Sequence, residues 1–355
     1  MSSKIGFDLT FIKDINKISG EEIIALNIVQ AISENDIKSN IVFFTDSKVE
    51  KQLRKLYKNL RIVVTRKKGS AFYKKFLYKY IAKNSLGLMF YPHASNLMNG
   101  KLPCKSMALL HGLNSKEVSR AKQRKTVKFL MNCDRIIAVS EFVKKELLHK
   151  SRKITAEKIT VIENPLADIR QGVEIVYKKK YLLCIGNDDY SKNLLSIVKA
   201  FYEVSGMIDH DLIIIGKINE KGKIFKFIKK FGISNRVIVT GHMDRDTLFG
   251  YYKNADLFIN ASIYEGFGLT PLEAMASGTR TLSTLTPSIM SLEEIECDGI
   301  INTPKDYKEI ADTILIIVKA PCDQAYLKKR ASKIMSKYDI NKTVNRYIEL
   351  FRETV

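Results

Sequence analysis

Short apolar runs, rich in β-branched residues, alternate along this chain with longer stretches whose apolar positions recur at helical spacing. The runs occupy residues 5–10, 40–45, 61–65, 87–91, 106–111, 135–140 and 159–163, and then 181–186, 211–216, 236–240, 256–260, 279–283 and 299–302. Several are apolar throughout, as expected of strands buried on both faces of a parallel sheet. Strands alternating with helices predict βαβ units joined by right-handed crossovers. The pattern breaks once, after Pro165, where Gly172 and Lys178–Lys180 interrupt an aperiodic stretch. A linker is therefore expected at 166–177, between a first domain at 1–165 and a second at 178–337. The predicted fold is α/β, with two doubly wound Rossmann-like domains facing a cleft. Sheets of this kind bind ligands outside the carboxyl ends of their strands, so chemistry is expected in the loops that follow the strands.

Composition narrows the class. The chain has 355 residues, 45% hydrophobic and 27% charged, which fits a packed globular protein and excludes disorder, collagen and coiled coil as its main architecture. Five cysteines (Cys104, Cys133, Cys184, Cys297, Cys322) lie far apart without a Cys-x-x-Cys pair, so neither a disulfide framework nor a zinc site is expected. Asp8 interrupts the N-terminal stretch before a signal-peptide core builds up, and no run reaches the roughly 18 apolar residues of a spanning helix. The expected location is cytoplasmic, with a peripheral position on the cytoplasmic membrane face also open.

The segment Glu265-Gly-Phe-Gly-Leu-Thr-Pro-Leu-Glu273-Ala-Met-Ala-Ser-Gly278 carries the densest chemistry. It follows a buried strand and is predicted to open a helix near Thr270-Pro271, since proline suits the first helical turn. Gly266 and Gly268 let backbone approach a ligand closely, and the helix N-terminus directs free N–H groups at an anion such as phosphate. Glu265 and Glu273 are placed to accept hydrogen bonds from sugar and ribose hydroxyls. The plainer alternative is a glycine turn before a helix whose glutamate stabilises the dipole.

This segment resembles the signature of retaining GT4-type glycosyltransferases of the GT-B fold (glycosyltransferase group 1). The likeness extends to Ile137-Ala-Val-Ser-Glu-Phe-Val-Lys-Lys-Glu-Leu147, Ile159-Thr-Val-Ile-Glu-Asn164, Ile185-Gly186, Lys192-Asn193-Leu194, Leu212-Ile-Ile-Ile-Gly216 and Val239-Thr-Gly241, in order along nearly the whole chain. It implies a nucleotide-sugar-dependent hexosyltransferase that retains anomeric configuration and acts on a glycan or lipid-linked glycan, as in cell-surface polysaccharide or glycolipid assembly. It further implies that Lys192 binds the donor diphosphate, with Asn193 beside it. Glu265 would contact the transferred sugar, Glu273 the ribose, and Gly266, Phe267, Gly268, Leu269 and Thr270 would offer backbone groups. Ser19-Gly20-Glu21 resembles the glycine loop that lies against the donor phosphates, giving Gly20 a donor-side role. His111 resembles a first-domain histidine at the reaction centre, so the implied catalytic set is His111, Lys192 and Glu265. His93 also ends a predicted strand and is an acceptor-side candidate. A C-terminal helix at about 338–355 is implied to return to the first domain. The resemblance implies neither a catalytic metal nor a cofactor. Asp244-Arg-Asp246, which matches a metal-binding Asp-x-Asp, is read as a helix cap. One departure stands out: 186–192 reads Gly-Asn-Asp-Asp-Tyr-Ser-Lys, without the arginine that the family usually carries there.

The formal charge of +21 changes the reading of the first half. Residues 1–165 hold 32 basic and 14 acidic side chains against 27 and 24 in the remainder, and 13 of the basic ones lie between Lys48 and Lys83 with only Glu50 opposing them. Phe72, Tyr73, Phe76, Leu77, Tyr80 and Ile81 recur at helical spacing among Lys74, Lys75, Lys79 and Lys83, giving a basic amphipathic helix. This is either a helix with an aromatic core face and solvated lysines, or a surface attracted to anionic lipid. A nucleic-acid-binding protein is the competing class for a pI near 9.6, but no nucleic-acid module is recognisable and no nucleic-acid partner is expected. A glycosyltransferase-like partner subunit without activity is the other alternative.

Overall fold

The computed structural model describes residues 4–15, 20–65, 71–94, 102–113, 119–167, 169, 173–175, 177–294 and 296–355. They form two compact units: one holds the described residues up to 113, 119–167 and 338–355, and the other those from 169 to 337. Ser19 and parts of the expected linker lie outside the described residues.

The first unit runs β1 (Lys4–Asp8), α1 (Gly20–Ser33), β2 (Ile41–Thr45), α2 (Ser47–Leu56), β3 (Ile62–Val64), α3 (Ala71–Asn84), β4 (Leu86–Tyr91), β5 (Lys105–Leu110), α4 (Arg120–Leu130), β6 (Arg135–Ala138), α5 (Glu141–Lys150) and β7 (Ile159–Val161). The second runs β8 (Lys180–Ile185), α6 (Leu194–Val204), β9 (His210–Ile215), α7 (Lys223–Lys230), β10 (Val237–Gly241), α8 (Arg245–Asn254), β11 (Leu257–Asn260), α9 (Leu269–Ala276), β12 (Thr281–Thr284), α10 (Pro287–Met290), β13 (Gly299–Ile301), α11 (Tyr307–Lys319) and α12 (Gln324–Lys337). The chain ends with α13 (Ile340–Thr354), which belongs to the first unit.

All thirteen expected runs form strands, and their pairings are parallel. Eight of them end short of the expected run on the carboxyl side. Thr10, His111 and Ser140 leave the sheet, because those residues serve loops and caps; Ser140 accepts the N–H of Val143 at 3.1 Å to start α5. The sheet orders are β3-β2-β1-β4-β5-β6-β7 and β10-β9-β8-β11-β12-β13. Both reverse direction once, at β1/β4 and at β8/β11.

The cores follow from strands covered on both faces. In the first unit, Phe7, Phe43 and Phe90 are fully buried and in contact, and α13 adds Tyr347 and Phe351 against Phe90 at centroid distances of 5.8 and 5.0 Å. In the second, Leu182, Cys184, Leu212, Ile214, Leu257 and Ile259 pack beneath α6, α7 and α11. The stretch expected as a linker is held at both ends. Leu166 donates its N–H to the carbonyl of Tyr338 at 2.9 Å, and Val173 donates to Asp246 at 3.1 Å. Gly250 makes the second attachment possible, since a Cβ there would lie 2.3 Å from the carbonyl oxygen of Val173.

The basic helix α3 uses its aromatic face internally. Tyr73, Leu77 and Ile81 are buried, and Tyr80 meets Phe44 of β2 edge-on at 5.2 Å. Lys75, Lys79 and Lys83 are exposed, so the helix offers charge outward and keeps its apolar stripe for the sheet. Among the described residues no helix is long and apolar enough to cross a membrane.

Replacing Phe90 by Ala removes the ring that joins β4 to α13. We expect a loss of about 3–5 kcal/mol in equilibrium unfolding, with a non-additive effect of about 0.5–1.5 kcal/mol when Phe351→Ala is combined with it. Additive single effects would show that the two rings do not couple.

Candidate active site

The two reversals of strand order place the loops that matter. At β8/β11 the chain leaves adjacent strands in opposite directions along the sheet, so the following loops flank an open position at the carboxyl edge. The loop after β8 carries Lys192 and Asn193; the loop after β11 carries Glu265–Gly268. Seventy-three residues apart in sequence, Lys192 and Glu265 meet, with Nζ 2.7 Å from Oε1.

Several neighbours set the geometry of that pair. The Ser262 hydroxyl lies 2.9 Å from Glu265 Oε1 and 2.7 Å from Asn260 Oδ1; with one proton, it donates to one of the two at a time. Asn260 Nδ2 donates to Ser283 Oγ at 3.0 Å, which fixes the orientation of the amide. Asn193 takes the left-handed conformation (φ 51°) between a 3-10 turn and α6, a geometry that asparagine tolerates better than most residues. Its Nδ2 donates to the carbonyls of Ala261 and Pro304, and its Oδ1 accepts from Ser196. The Asn193 side chain therefore braces the two loops against each other, and what this position offers a ligand is backbone at the start of α6.

The glycine loop is braced from below. Ser288 donates its N–H to the Phe267 carbonyl at 2.8 Å and its hydroxyl to the Gly268 carbonyl at 2.7 Å. Gly268 has φ 94°, and a Cβ there would stand 2.6 Å from Thr286 Cβ. A side chain is excluded twice over, by backbone strain and by Thr286. The Phe267 ring is buried, so this residue can reach a ligand only through its backbone. The helix α9 starts at Leu269, one residue before the expected Thr270-Pro271. Gly268 provides no side-chain cap, leaving the first-turn N–H groups of Leu269 and Thr270 to point at whatever anion binds. One turn along, Glu273 is buried. Its Oε2 accepts from the Tyr252 hydroxyl at 3.1 Å and its Oε1 lies 3.4 Å from Arg245 Nη2. Burial, with the neighbouring Glu273 charge adding to it, pushes the Tyr252 phenol well above its ordinary range, so it stays a donor.

The carboxyl edge of the first sheet holds a second cluster. Glu21, in the first turn of α1, places Oε2 2.5 Å from His93 Nε2, just beyond β4. The His93 ring stacks on Phe11 at 5.1 Å. His111 follows β5, with Nε2 3.0 Å from the Pro92 carbonyl oxygen. A carbonyl only accepts, so Nε2 carries the proton and the neutral ring presents Nδ1 as an acceptor. Burial holds the His111 pKa below its ordinary value against the opposing pull of Glu21, which favours that neutral form. Glu146 of α5 is buried and accepts the Leu113 N–H at 2.9 Å, pinning the loop that carries His111. Gly20 is exposed, and no atom of the described residues lies within 4 Å of a notional Cβ there. Asp244 caps α8, accepting from the N–H of Thr247 at 2.9 Å and its hydroxyl at 2.7 Å.

The residues brought together thus include several not singled out from sequence. Ser262, Tyr252 and Glu146 carry no spacing signal of their own. Arg245 and Ser288 lie in segments, Asp244-Arg-Asp246 and Thr286-Pro-Ser288, that are legible only as capping patterns.

Two family profiles match the chain: "Glycosyltransferase Family 4" over residues 18–168 and "Glycosyl transferases group 1" over residues 167–334. Among curated proteins, an uncharacterized glycosyltransferase of Methanocaldococcus jannaschii is 26% identical over 185 residues, covering 51% of this chain and 47% of its own length. The alpha-monoglucosyldiacylglycerol synthase of Streptococcus pneumoniae is 30% identical over 177 residues, covering 46% of this chain and 40% of its own. These alignments span less than half the length of either relative. Among solved structures, Anabaena HepE in complex with UDP and glucose superposes with a TM-score of 0.78 at 16% identity, covering 99% of this chain and all of HepE. The sucrose-phosphate synthase of Thermosynechococcus elongatus gives 0.73, also at 16% identity, covering 99% of this chain and 98% of its own. At such identities the superpositions establish the fold, which is GT-B.

The first-unit cluster makes a titration prediction. Burial would raise the Glu21 pKa, but His111, His93 and Lys122 outweigh it and lower it from 4.5 to about 2. Nearly half of the side chain (46%) remains accessible, so screening by water tempers the pairing. A depressed carboxylate stabilises the fold above its unfolded pKa and loses that contribution as pH falls through the folded one. The stability advantage of wild type over Glu21→Gln should therefore be full above pH 4.5 and shrink as pH falls towards about 2. A constant difference across that window would contradict it.

Proposed function

Because the chain belongs to the group 1, family 4 type of glycosyltransferases, we propose that it moves a hexose-type sugar from a nucleotide-sugar donor to a glycan or lipid-linked glycan with retention of configuration. The carrying observation is the Lys192–Glu265 contact of 2.7 Å beside the open N-terminus of α9. A cation, a carboxylate and a set of free N–H groups then converge at one strand-order reversal. Lys192 stabilises charge on the departing diphosphate, and Glu265 turns from the lysine to the sugar hydroxyls once the phosphate has taken its place. Glu273, held by Tyr252 and Arg245, receives the ribose hydroxyls. The N–H groups of Leu269 and Thr270 face the phosphates. The complexes of HepE with UDP and with UDP-glucose favour a uridine donor as the first to try.

The acceptor reading rests on the first unit. His111, neutral with Nδ1 as an acceptor, takes a hydrogen bond from a sugar hydroxyl, and His93 with Glu21 lines the acceptor side. The acceptor oxygen attacks from the face that the diphosphate leaves, so the departing phosphate can take its proton. No side chain is required as a covalent nucleophile, and no metal or cofactor is given a role. The exposed lysines of α3 and the excess charge of residues 1–165 favour a peripheral position on an anionic, cytoplasmic membrane surface. The buried aromatic stripe makes that attraction electrostatic, without insertion of the helix.

A thermal-shift panel of UDP-, GDP- and dTDP-sugars should show one strong stabiliser of the wild-type protein, and silence across the panel would sink the donor reading. With that donor, Lys192→Ala should reduce turnover by about 100- to 1,000-fold while the fold persists. Stabilisation by a donor without turnover on any glycan or lipid-linked acceptor would favour the non-catalytic subunit instead.

Binding to anionic vesicles should weaken as salt rises. Equal binding to neutral vesicles would remove the membrane from the proposal, and preference for RNA would reopen the nucleic-acid class.

A further inference from the structure

The described arginines of the second unit fall into two kinds. Arg236 bonds the Asp211 carboxylate and the carbonyls of Ser205, Ile208 and His210. Arg280 bonds the carbonyls of Asp256, Ile317 and Ala320, and Arg330 those of Glu296 and Thr279 with the Asp298 carboxylate. Each makes three or more hydrogen bonds to protein, and each ties segments together near the amino edge of the sheet. Arg245 is different. It follows β10 at the carboxyl edge, and its single hydrogen bond among the described residues is the 3.4 Å contact to Glu273. A guanidinium has five N–H donors, and the preferred charge-assisted contact is nearer 2.8 Å. The contact is thus long, single and ready to be rearranged.

Nor does helix stability explain the residue. Arg245 opens α8 directly after its cap Asp244, where the macrodipole is positive and a cation is unfavourable. Its guanidinium rests over the Phe249 ring, 5.1 Å from the centroid. Glu273 lies four residues along α9 from Leu269, about 6 Å along the axis from the open N-terminus of that helix, and Arg245 meets its carboxylate. Lys192, the other cation of this edge with a carboxylate partner, supplies one positive charge when a phosphate displaces Glu265, and Asp188 and Asp189 lie in the same loop. A diphosphate placed there needs a second positive charge.

We propose that Arg245 is a donor-binding residue, which steadies Glu273 with one N–H and offers the rest of its fork to a phosphate of the nucleotide. The inference rests on the donor reading above and extends it: the site discriminates by phosphate charge through a residue outside the glycine loop. No chemical step is added.

Isothermal titration of wild type, Arg245→Gln and Arg245→Lys with UDP, GDP and dTDP, and NMR titration with uridine, guanosine and thymidine, separates the possibilities. Arg245→Gln should bind the preferred diphosphate at least tenfold more weakly while its nucleoside affinity stays within twofold of wild type. Arg245→Lys should fall between, since it keeps the charge and loses the planar fork; it also serves as the readout if the glutamine variant fails to fold. Unchanged diphosphate affinity overturns the inference, as does an equal loss for diphosphate and nucleoside, which would leave Arg245 as a support for Glu273 alone. Wild-type protein that binds none of the diphosphates overturns the donor reading first, and this inference with it.

Discussion

Right-handed crossovers between parallel strands impose the constraint on which both units depend. A chain that adds strands in one direction must cover each step with a helix, and it can turn back only once without leaving the sheet. From β8 the second unit steps out through β9 and β10, then returns by α8 to place β11 on the other side of β8. The loops leaving β8 and β11 therefore diverge, and nothing in the sheet fills the position between them. Lys192, Glu265 and the start of α9 converge on it. The first unit repeats the device at β1 and β4, where Glu21 and His93 meet.

The second sheet is electrostatically asymmetric from edge to edge. Near its amino edge, Arg236, Arg280 and Arg330 each bond several carbonyls or carboxylates and act as staples. Such bonds are valuable because a buried guanidinium with donors unmet is costly. At the carboxyl edge the pairs are partial: Lys192 with Glu265, and Arg245 with Glu273 at 3.4 Å. Partial pairing keeps charges oriented without consuming their capacity for a ligand, which is the arrangement that preorganised sites require.

Much of this was legible from residue order. The strands were readable because burial on both faces leaves an unbroken apolar run, and the glycine loop because Gly268 sits where a side chain would strike Thr286. The basic amphipathic helix was legible as a helix, and only the structure turned its aromatic stripe inward, with Tyr80 against Phe44. Asn193 looked like a ligand contact by its place beside Lys192, and its amide turns out to join Ala261 to Pro304. Ser262, Tyr252 and Glu146 were silent, since a lone serine, tyrosine or glutamate on a helix or loop has many ordinary uses.

What the sequence by itself determined is therefore local and periodic: where strands and helices lie, where backbone must be bare, and which half carries the charge. These depend on spacing and on residues a few places apart, which the chain carries in its order. Only the tertiary structure decided which polar groups face each other. The approach of Lys192 to Glu265, of Arg245 to Glu273 and of Glu21 to His93 depends on the order of strands in a sheet, and that order is set by packing among residues tens of positions apart.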